Sequence, residues 1–329
     1  MSYSKELREE FKTISKYAPR DEVIKELGIS QRTYYKWLKM DGVKIEKKPD
    51  TYDVKQLEDL RKMVFSSKKA KEDYNLGVGV DFVDNRPIAI MHFGDMHMDS
   101  DGTDIELLYK HIHLLRTTDG VYGGNLGDVT NNWVGFLGKL YGEQHTTIEH
   151  SIKMIEETIG GCPWLYTIIG NHDKWNGGEY VVKKAVDTGA TGEDLRLELK
   201  FPNGSMTSLH ARHHFKGSSM YNNAQGSVKE ALLGARDDII IHGHIHSLGY
   251  SIVPQPELLK ISHCLSVGSY KQIDSFKTMM GFRETNLSPC VVTVIDPRLP
   301  ESHVDRIKVF FDAEAGVNYM KMLRASEGA

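Results

Sequence analysis

Four short segments of the sequence carry side chains of the kinds that bind divalent cations. They are Gly94-Asp95-Met96-His97, Gly127-Asp128, Gly170-Asn171-His172-Asp173 and Gly243-His244-Ile245-His246. Together they supply three carboxylates, one amide and four imidazoles. Such nitrogen and oxygen ligands, without a thiolate, suit Mn(II), Fe or Zn, with Co and Ni also possible. Two ions held close together promote the hydrolysis of phosphate esters, so the residue types point to that chemistry.

A fifth segment, His210-Ala211-Arg212-His213-His214, offers a further imidazole ligand. Side chains alternate along a strand, so His213 and His214 face opposite sides and at most one of them binds an ion directly. We favour His213, because it shares a face with neither of the other two histidines and precedes the exit of the strand. His210 and His214 remain the alternatives.

Each of these segments follows an apolar stretch that predicts a β-strand. The predicted strands that deliver ligands cover residues 87–93, 119–126, 164–169, 205–213 and 238–241. The strand over 205–213 forms a hairpin with 195–201 around Asn203-Gly204, a strong two-residue turn. Further strands are expected at 258–267, 290–295 and 306–311, with helices near 148–159 and 313–325. Because sites in open α/β sheets form beyond the carboxyl ends of strands, these ends should converge.

The ordered set D-x-H, G-D, G-N-H-D, a downstream histidine and G-H-x-H resembles the calcineurin-like metallophosphoesterase superfamily, over roughly residues 86–297. The resemblance implies an α/β fold, a two-sheet αββα sandwich with the metal site on loops at the carboxyl ends of its strands. It also implies two divalent metal ions. The implied ligands are Asp95, His97 and His246 for one ion, and Asn171, His244 and a downstream histidine, for which we favour His213, for the other, with Asp128 between both.

The resemblance and the charge of the substrate together imply a hydrolytic mechanism. Two cations neutralise phosphoryl oxygens and lower the pKa of a bridging water, and the resulting hydroxide would attack phosphorus in line. His172, held by Asp173, would stabilise the transition state or protonate the leaving alkoxide, so these two residues are the expected catalytic pair. The expected enzyme is a metal-dependent phosphoesterase, with Mn(II) favoured as the activating ion.

The first forty residues predict two short helices joined by a turn. Gly28 suits a left-handed C-cap and Ser30 an N-cap. The pair resembles the helix-turn-helix of transposases and phage regulators, in which the second helix enters the major groove of DNA. The DNA-binding residues that this resemblance implies are Gln31, Arg32, Thr33, Tyr35, Lys36 and Lys39. The alternative is a small helical cap whose apolar residues merely pack together.

Charge is distributed unevenly along the chain. Residues 1–72 carry 18 Lys and Arg against 13 Asp and Glu, whereas the remainder carries 23 against 32. A basic leading segment suits phosphate backbones, and an acidic body suits a site that collects cations. We expect a helix-turn-helix module over 1–45, a lysine-rich linker with one helix over 46–85, a catalytic domain over 86–300, and a C-terminal strand and helix over 301–329.

The combination of modules favours a nuclease that acts on DNA. The alternative is a phosphatase or phosphodiesterase of nucleotides, other small molecules or phosphoproteins, with the leading helices used for assembly. DNA contact requires an exposed basic face on the second helix, whereas assembly would bury it in part. A DNA-binding regulator with an inactive body is disfavoured by the complete ligand set.

The sequence also bears on localisation. It shows no signal peptide and no apolar run long enough to cross a membrane. The three cysteines, Cys162, Cys264 and Cys290, are scattered and fit buried free thiols. We therefore expect a cytoplasmic protein.

Overall fold

The computed structural model describes residues 5–15, 20–41, 54–75, 77–132, 144–186, 188, 190–217, 219–273 and 287–326. The chain divides into two compact units, Met1–Lys68 and Lys69–Ala329. None of the described helices combines the length and the apolar composition that crossing a lipid bilayer requires.

Helices make up the described part of the smaller unit. They are α1 (Lys5–Ile14), α2 (Arg20–Glu26), α3 (Gln31–Asp41) and α4 (Val54–Asn75), the last of which spans the division between the units. The turn before α3 carries the expected caps. Gly28 has a left-handed φ of 60°, and the Ser30 hydroxyl accepts a hydrogen bond from the Thr33 N–H at 3.1 Å. The two predicted helices are therefore α2 and α3, with α1 in addition.

The core of the smaller unit joins α1 to the other two helices. Its buried side chains are Phe11, Val23, Leu27, Ile29, Tyr34 and Trp37. The ring of Phe11 packs edge-on against Tyr34 and Trp37, with centroids 5.4 and 5.3 Å apart. Since α3 buries this apolar face, its polar residues lie on the opposite side.

In the described part of the larger unit, twelve strands form two six-stranded sheets. In chain order they are β1 (Val78–Asp81), β2 (Ile88–Phe93), β3 (Val121–Asn125), β4 (Trp164–Ile168), β5 (Thr191–Gly192), β6 (Asp194–Lys200), β7 (Met206–Arg212), β8 (Ile239–His242), β9 (Gly249–Gln255), β10 (Lys260–Ser266), β11 (Cys290–Ile295) and β12 (Ile307–Phe310). The helices of this part are α5 (Ile105–Thr117), α6 (Ile148–Ile159), α7 (Gly178–Ala185), α8 (Gln225–Leu233) and α9 (Ala313–Ala325).

Both sheets are mixed. Sheet one has the order β1-β6-β7-β8-β10-β9, and sheet two has the order β12-β11-β2-β3-β4-β5. In sheet two, β2, β3, β4 and β5 are parallel neighbours, whereas β11 runs antiparallel to β2. In sheet one, β7, β8 and β10 are parallel neighbours. Each sheet therefore presents several carboxyl ends of strands at one edge.

Apolar side chains fill three layers around the two sheets. Ile88 and Ile90 of β2 share a buried cluster with Leu209 of β7 and Ile239 of β8, so this cluster lies between the sheets. On the other face of sheet two, buried residues of β2 and β11 pack with α5, α6 and α9. On the other face of sheet one, Ile240 packs with Ala231 of α8. The expected αββα sandwich is confirmed.

The larger unit extends on both sides of the range 86–300. β1 lies within the segment 46–85, which the sequence predicts to be a linker, and pairs in parallel with β6 of sheet one. At the other end, β12 pairs with β11 and α9 packs on sheet two, so residues 301–326 complete that sheet and its helical layer. The three cysteines are buried and free.

Candidate metal centre

The candidate ligands lie just beyond the carboxyl ends of strands in both sheets. In sheet two they come after β2, β3 and β4, and in sheet one after β7 and β8. Because these strands are parallel within each sheet, their carboxyl ends meet at one edge, and the structure places the two edges side by side. Two groups of His and Asp side chains that could each hold a metal ion result.

The first group contains Asp95, His97 and His246, all of them buried. The Nε2 atom of His246 lies 2.9 Å from Oδ2 of Asp95 and 3.2 Å from Nε2 of His97. The Asp95 carboxylate also accepts the backbone N–H of His244 at 2.9 Å. This bond ties the segment after β2 to the segment after β8.

The second group contains Asp128, His213 and His244. The Nε2 atom of His213 lies 3.1 Å from Oδ2 of Asp128, 3.1 Å from Nδ1 of His244 and 3.0 Å from Oδ1 of Asn171. The four side chains that the resemblance implies around the second ion therefore converge. The structure groups Asp128 with these residues, and a role as ligand to both ions is part of the proposal below.

The chemistry of these donors fits a cation. The ring of His213 uses Nδ1 to donate to the Leu126 carbonyl at 2.7 Å, so a neutral ring presents its Nε2 lone pair to the oxygens of Asp128 and Asn171. Burial disfavours the imidazolium, but the Asp128 carboxylate outweighs it and raises the pKa of His213 to about 10. The environment of Asp128 and His213 therefore favours positive charge, and a bound metal ion supplies that charge without a proton on the ring.

The side chains of the first group, Asp95, His97 and His246, also fit a cation. Burial, and then the neighbouring His246, lower the pKa of His97 well below its usual value, so this ring is neutral. The Nδ1 atoms of both rings are buried and have no hydrogen-bond partner among the described residues. The two Nε2 atoms and the Asp95 carboxylate face one another at short range. Burial opposes ionisation of Asp95, but the histidines around it, His246 first, hold its pKa far below the usual range.

The backbone at the centre is strained. Non-glycine residues with positive φ number eight in the described part of the chain, and four of these are candidate ligands. Their φ angles are 42° at His97, 51° at Asp128, 67° at His244 and 50° at His246. Such conformations cost roughly 1–3 kcal/mol each and persist where the surrounding structure enforces them, commonly at functional sites. The strain supports a site built to aim these side chains.

His172 and Asp173 are both at the centre, but they do not form the expected pair. The ring Nδ1 of His172 donates to the Asn131 carbonyl at 2.6 Å, and its Nε2 lies 3.9 Å from Oδ2 of Asp128. The carboxylate of Asp173 instead accepts the backbone N–H groups of Asp128, Val129 and Gly170 at 2.8, 3.0 and 2.9 Å. The expectation that Asp173 holds the His172 ring is wrong, because three backbone donors take up its oxygens. Burial and the Asp128 charge raise the pKa of Asp173 to about 7.

The histidine chosen for the fifth segment is the one that reaches the centre. His210 is buried, but its Nε2 donates to the Asp194 carboxylate at 2.6 Å, away from both groups. His214 is exposed, and its ring lies 4.9 Å from that of His244 without entering either group. His213 alone of the three belongs to a group of candidate ligands.

Two residues outside the expected ligand and catalytic sets support this centre. Asn131 carries the carbonyl that binds His172, and Asp99 accepts the Asn131 N–H at 2.6 Å. The sequence offers a weak signal for Asp99, which follows His97 at a spacing of two. It offers none for Asn131, because the contact is made by the backbone.

The structure places the expected DNA-binding residues on α3. Gln31, Arg32 and Lys36 are exposed, and Tyr35 is 52% exposed. Thr33 is half-buried, and its hydroxyl lies 2.8 Å from that of Ser30. Lys39 lies within α3, but its side chain is outside the described part of the chain.

Neither a protein-family model nor a curated protein sequence matches this chain. Among solved structures it is similar to a conserved protein of Streptococcus pneumoniae described as a predicted phosphoesterase, at 15% identity and a TM-score of 0.33, over 68% of this chain and 97% of that one. Vps29 of Chaetomium thermophilum matches at 12% identity and a TM-score of 0.32, over 68% and 92%.

A third similar structure is the NAD nucleotidase of Haemophilus influenzae, with 10% identity and a TM-score of 0.35. The match covers 68% of this chain and 49% of that protein, so the chain spans about half of its length. Identities and TM-scores of this size carry no conclusion about activity. The chemistry of this protein has to be inferred from its own donor atoms.

Proposed function

We propose that this chain is a hydrolase that cleaves phosphodiester bonds with two divalent metal ions. The observation that carries the proposal is the convergence of two groups of Asp and His, within each of which carboxylate oxygens and ring nitrogens face one another at short range. Each group has three or more ligands of types that suit Mn(II), Fe or Zn. We favour Mn(II), with Co and Ni as ions that also fit.

The residues would divide the work as follows. Asp95, His97 and His246 would hold one ion, and Asn171, His213 and His244 the other, with Asp128 between them. When bound, the ions neutralise phosphoryl oxygens and lower the pKa of the attacking water. The Asn131 carbonyl fixes Nδ1 of His172 as a donor, which leaves Nε2 on the side of the centre. From there a protonated His172 can donate to the leaving oxygen.

Metal analysis and a substrate panel test the reaction class. The purified chain is loaded with Mn(II), its metal content is measured, and hydrolysis of a generic phosphomonoester and phosphodiester is compared with that of linear and circular DNA, single- and double-stranded. Asp128→Ala serves as the inactive control. A protein that binds no metal, or that cleaves no ester when loaded, contradicts the proposal. Cleavage of small esters with intact DNA would instead favour a phosphatase or phosphodiesterase of small molecules.

DNA is the substrate class that we propose. Support comes from α3, whose apolar face is buried against α1 and whose Arg32 and Lys36 are exposed. Since phosphate contacts dominate the affinity of proteins for DNA, an exposed basic helix suits this partner. Residues 1–72 also carry the basic excess of the chain.

Charge reversal on α3 tests the DNA contact. The double variant Arg32→Glu/Lys36→Glu should weaken DNA binding and reduce the salt dependence of the affinity, because two phosphate contacts are lost. The matched control is Lys55→Glu/Lys68→Glu, which makes the same charge change at two exposed positions of α4. Equal affinities and salt slopes for the two double variants would contradict a specific role of α3.

A further inference from the structure

A buried carboxylate lies behind His172, and none of the steps proposed above uses it. Asp99 is 3% exposed, and its Oδ1 accepts the N–H of Asn131 at 2.6 Å. The carbonyl oxygen of the same residue, Asn131, accepts the Nδ1–H of His172, also at 2.6 Å. One residue thus connects the carboxylate to the imidazole through its two backbone groups.

The residue that follows Asn131 contacts His172 at a second point. The side-chain amide of Asn132 donates to the carbonyl oxygen of His172 at 3.0 Å. Asn132 has a φ of 46°, a left-handed conformation that is costly for a residue with a side chain. A hydrogen bond to a carboxylate is stronger than one between neutral groups, so the bond from Asn131 to Asp99 can offset this strain.

We infer that Asp99 is a positioning residue for His172. Its carboxylate holds the backbone N–H of Asn131, and the carbonyl of the same residue then selects the tautomer of His172 that carries hydrogen on Nδ1. That choice leaves Nε2 on the side of Asp128 and sets the direction in which the ring can give a proton. The catalytic consequence rests on the proposed function, whereas the control of the tautomer does not.

The tautomer can be measured without any activity. Long-range ¹H–¹⁵N NMR of the full chain loaded with diamagnetic Zn(II) identifies the protonated nitrogen of each histidine, and His172→Gln assigns the signal. We expect hydrogen on Nδ1 in the unaltered chain and in Asp99→Asn, which keeps an acceptor oxygen. In Asp99→Ala we expect this signal to be lost or averaged by exchange. An unchanged Nδ1–H signal in Asp99→Ala would overturn the inference.

Leaving-group dependence gives the kinetic test. A nitrophenyl phosphodiester expels an anion that needs no proton, whereas a dinucleotide expels an alkoxide that does. Positioned proton donors contribute about 10²-fold or more to such steps. Asp99→Ala should therefore lower kcat for the dinucleotide by about 10²-fold and for the nitrophenyl ester by less than about threefold. Asp99→Asn should recover most of the dinucleotide rate, and metal content should stay constant.

A matched control separates positioning from general damage. Asp237 is another buried carboxylate, paired with Arg196 at 2.7 Å, and it precedes β8 at the end of that strand remote from the metal centre. Asp237→Ala should change both rates equally. Equal losses for both substrates in Asp99→Ala, or loss of bound metal, would overturn the positioning role. If the unaltered chain hydrolyses neither ester, the proposed function fails, and the NMR measurement still decides the inference.

Discussion

The carboxylate of Asp173 holds the backbone of Asp128. Its Oδ2 accepts the Asp128 N–H at 2.8 Å and the Gly170 N–H at 2.9 Å, and its Oδ1 accepts the Val129 N–H at 3.0 Å. The side chain is fully buried. The turn after β3 and the turn after β4 are therefore joined by one carboxyl side chain, so the position of the Asp128 carboxylate depends on a residue that is not itself a candidate ligand.

Asp173→Ala should weaken metal binding at the group of Asp128, His213 and His244. Loss of a residue that orients a ligand typically costs about 10–100-fold in metal affinity, and we expect a loss in that range. Titration against a chromophoric chelator measures it. Asp296→Ala is the control, because Asp296 is also buried and paired, with Arg298 at 2.8 Å, but follows β11 at the opposite edge of sheet two. Equal affinities in the two variants would contradict the role assigned to Asp173.

His213 and His214 offer a matched pair for the fifth segment. His213→Ala should lose an ion from the loaded protein, or bind it far more weakly, since Nε2 of His213 touches Asp128, Asn171 and His244. His214→Ala should keep the full metal content, because this exposed ring belongs to neither group. Metal-to-protein ratios after dialysis decide between them. If His214→Ala loses bound metal and His213→Ala does not, then His213 is not the ligand and the assignment is wrong.

The sequence predicts the centre because chemistry and strand periodicity coincide in it. An apolar run that ends in Gly-Asp or Gly-His marks both a strand and its carboxyl end, and parallel ends meet at one edge. The sequence also locates a strand that is apolar at nearly every position: β11 spans Cys290–Ile295, the range expected from sequence. The terminal helix α9 likewise spans the expected residues, Ala313–Ala325.

The strands that escaped prediction lack that signal. β1 has only four residues and follows a lysine-rich segment, so its sequence does not mark it as a strand. It is a strand because it pairs with β6. β9 contains Pro254 and exposes much of its surface, as befits the last strand at the edge of sheet one. Positive φ at His97 and Asp128 has no sequence signature either, because non-glycine residues adopt it where the fold enforces it. For the same reason, contacts made by backbone atoms, such as Asn131 with His172, were invisible.

Glycine at position 170 is required by a close approach. A Cβ atom there would collide with Oδ1 and the backbone nitrogen of Asp128. Gly170→Ala should therefore displace Asp128 and reduce both metal content and activity, with a fold that remains intact by circular dichroism. Gly77→Ala is the control, since a Cβ at Gly77 has no atom within 4 Å. Full metal content in Gly170→Ala would show that the close approach of Gly170 to Asp128 is not required for metal binding.

Buried neutral histidines make the stability of the protein depend on pH. His92 is fully buried between Tyr166 and Thr293, whose hydroxyls lie 2.8 Å from its two ring nitrogens. Burial lowers its pKa from 6.5 to about 3. Between these values the unfolded chain binds a proton that the folded chain does not, so the free energy of unfolding rises with pH across this window. Protonation of the unfolded chain costs the folded state little above pH 6.5, and this cost grows as the pH falls toward about 3.

His92→Gln should reduce this dependence. From the cited pKa values, His92 costs the folded protein about 2 kcal/mol between pH 7 and pH 5, and the variant should lack that share. Urea denaturation of the metal-free chain measures the free energy of unfolding at both pH values. The difference between the two values is insensitive to the packing that the substitution also removes, because that loss is the same at both. His150→Gln, at an exposed position of α6, should leave the dependence unchanged. An identical pH dependence in His92→Gln and the unaltered chain would mean that His92 takes up a proton in the folded state.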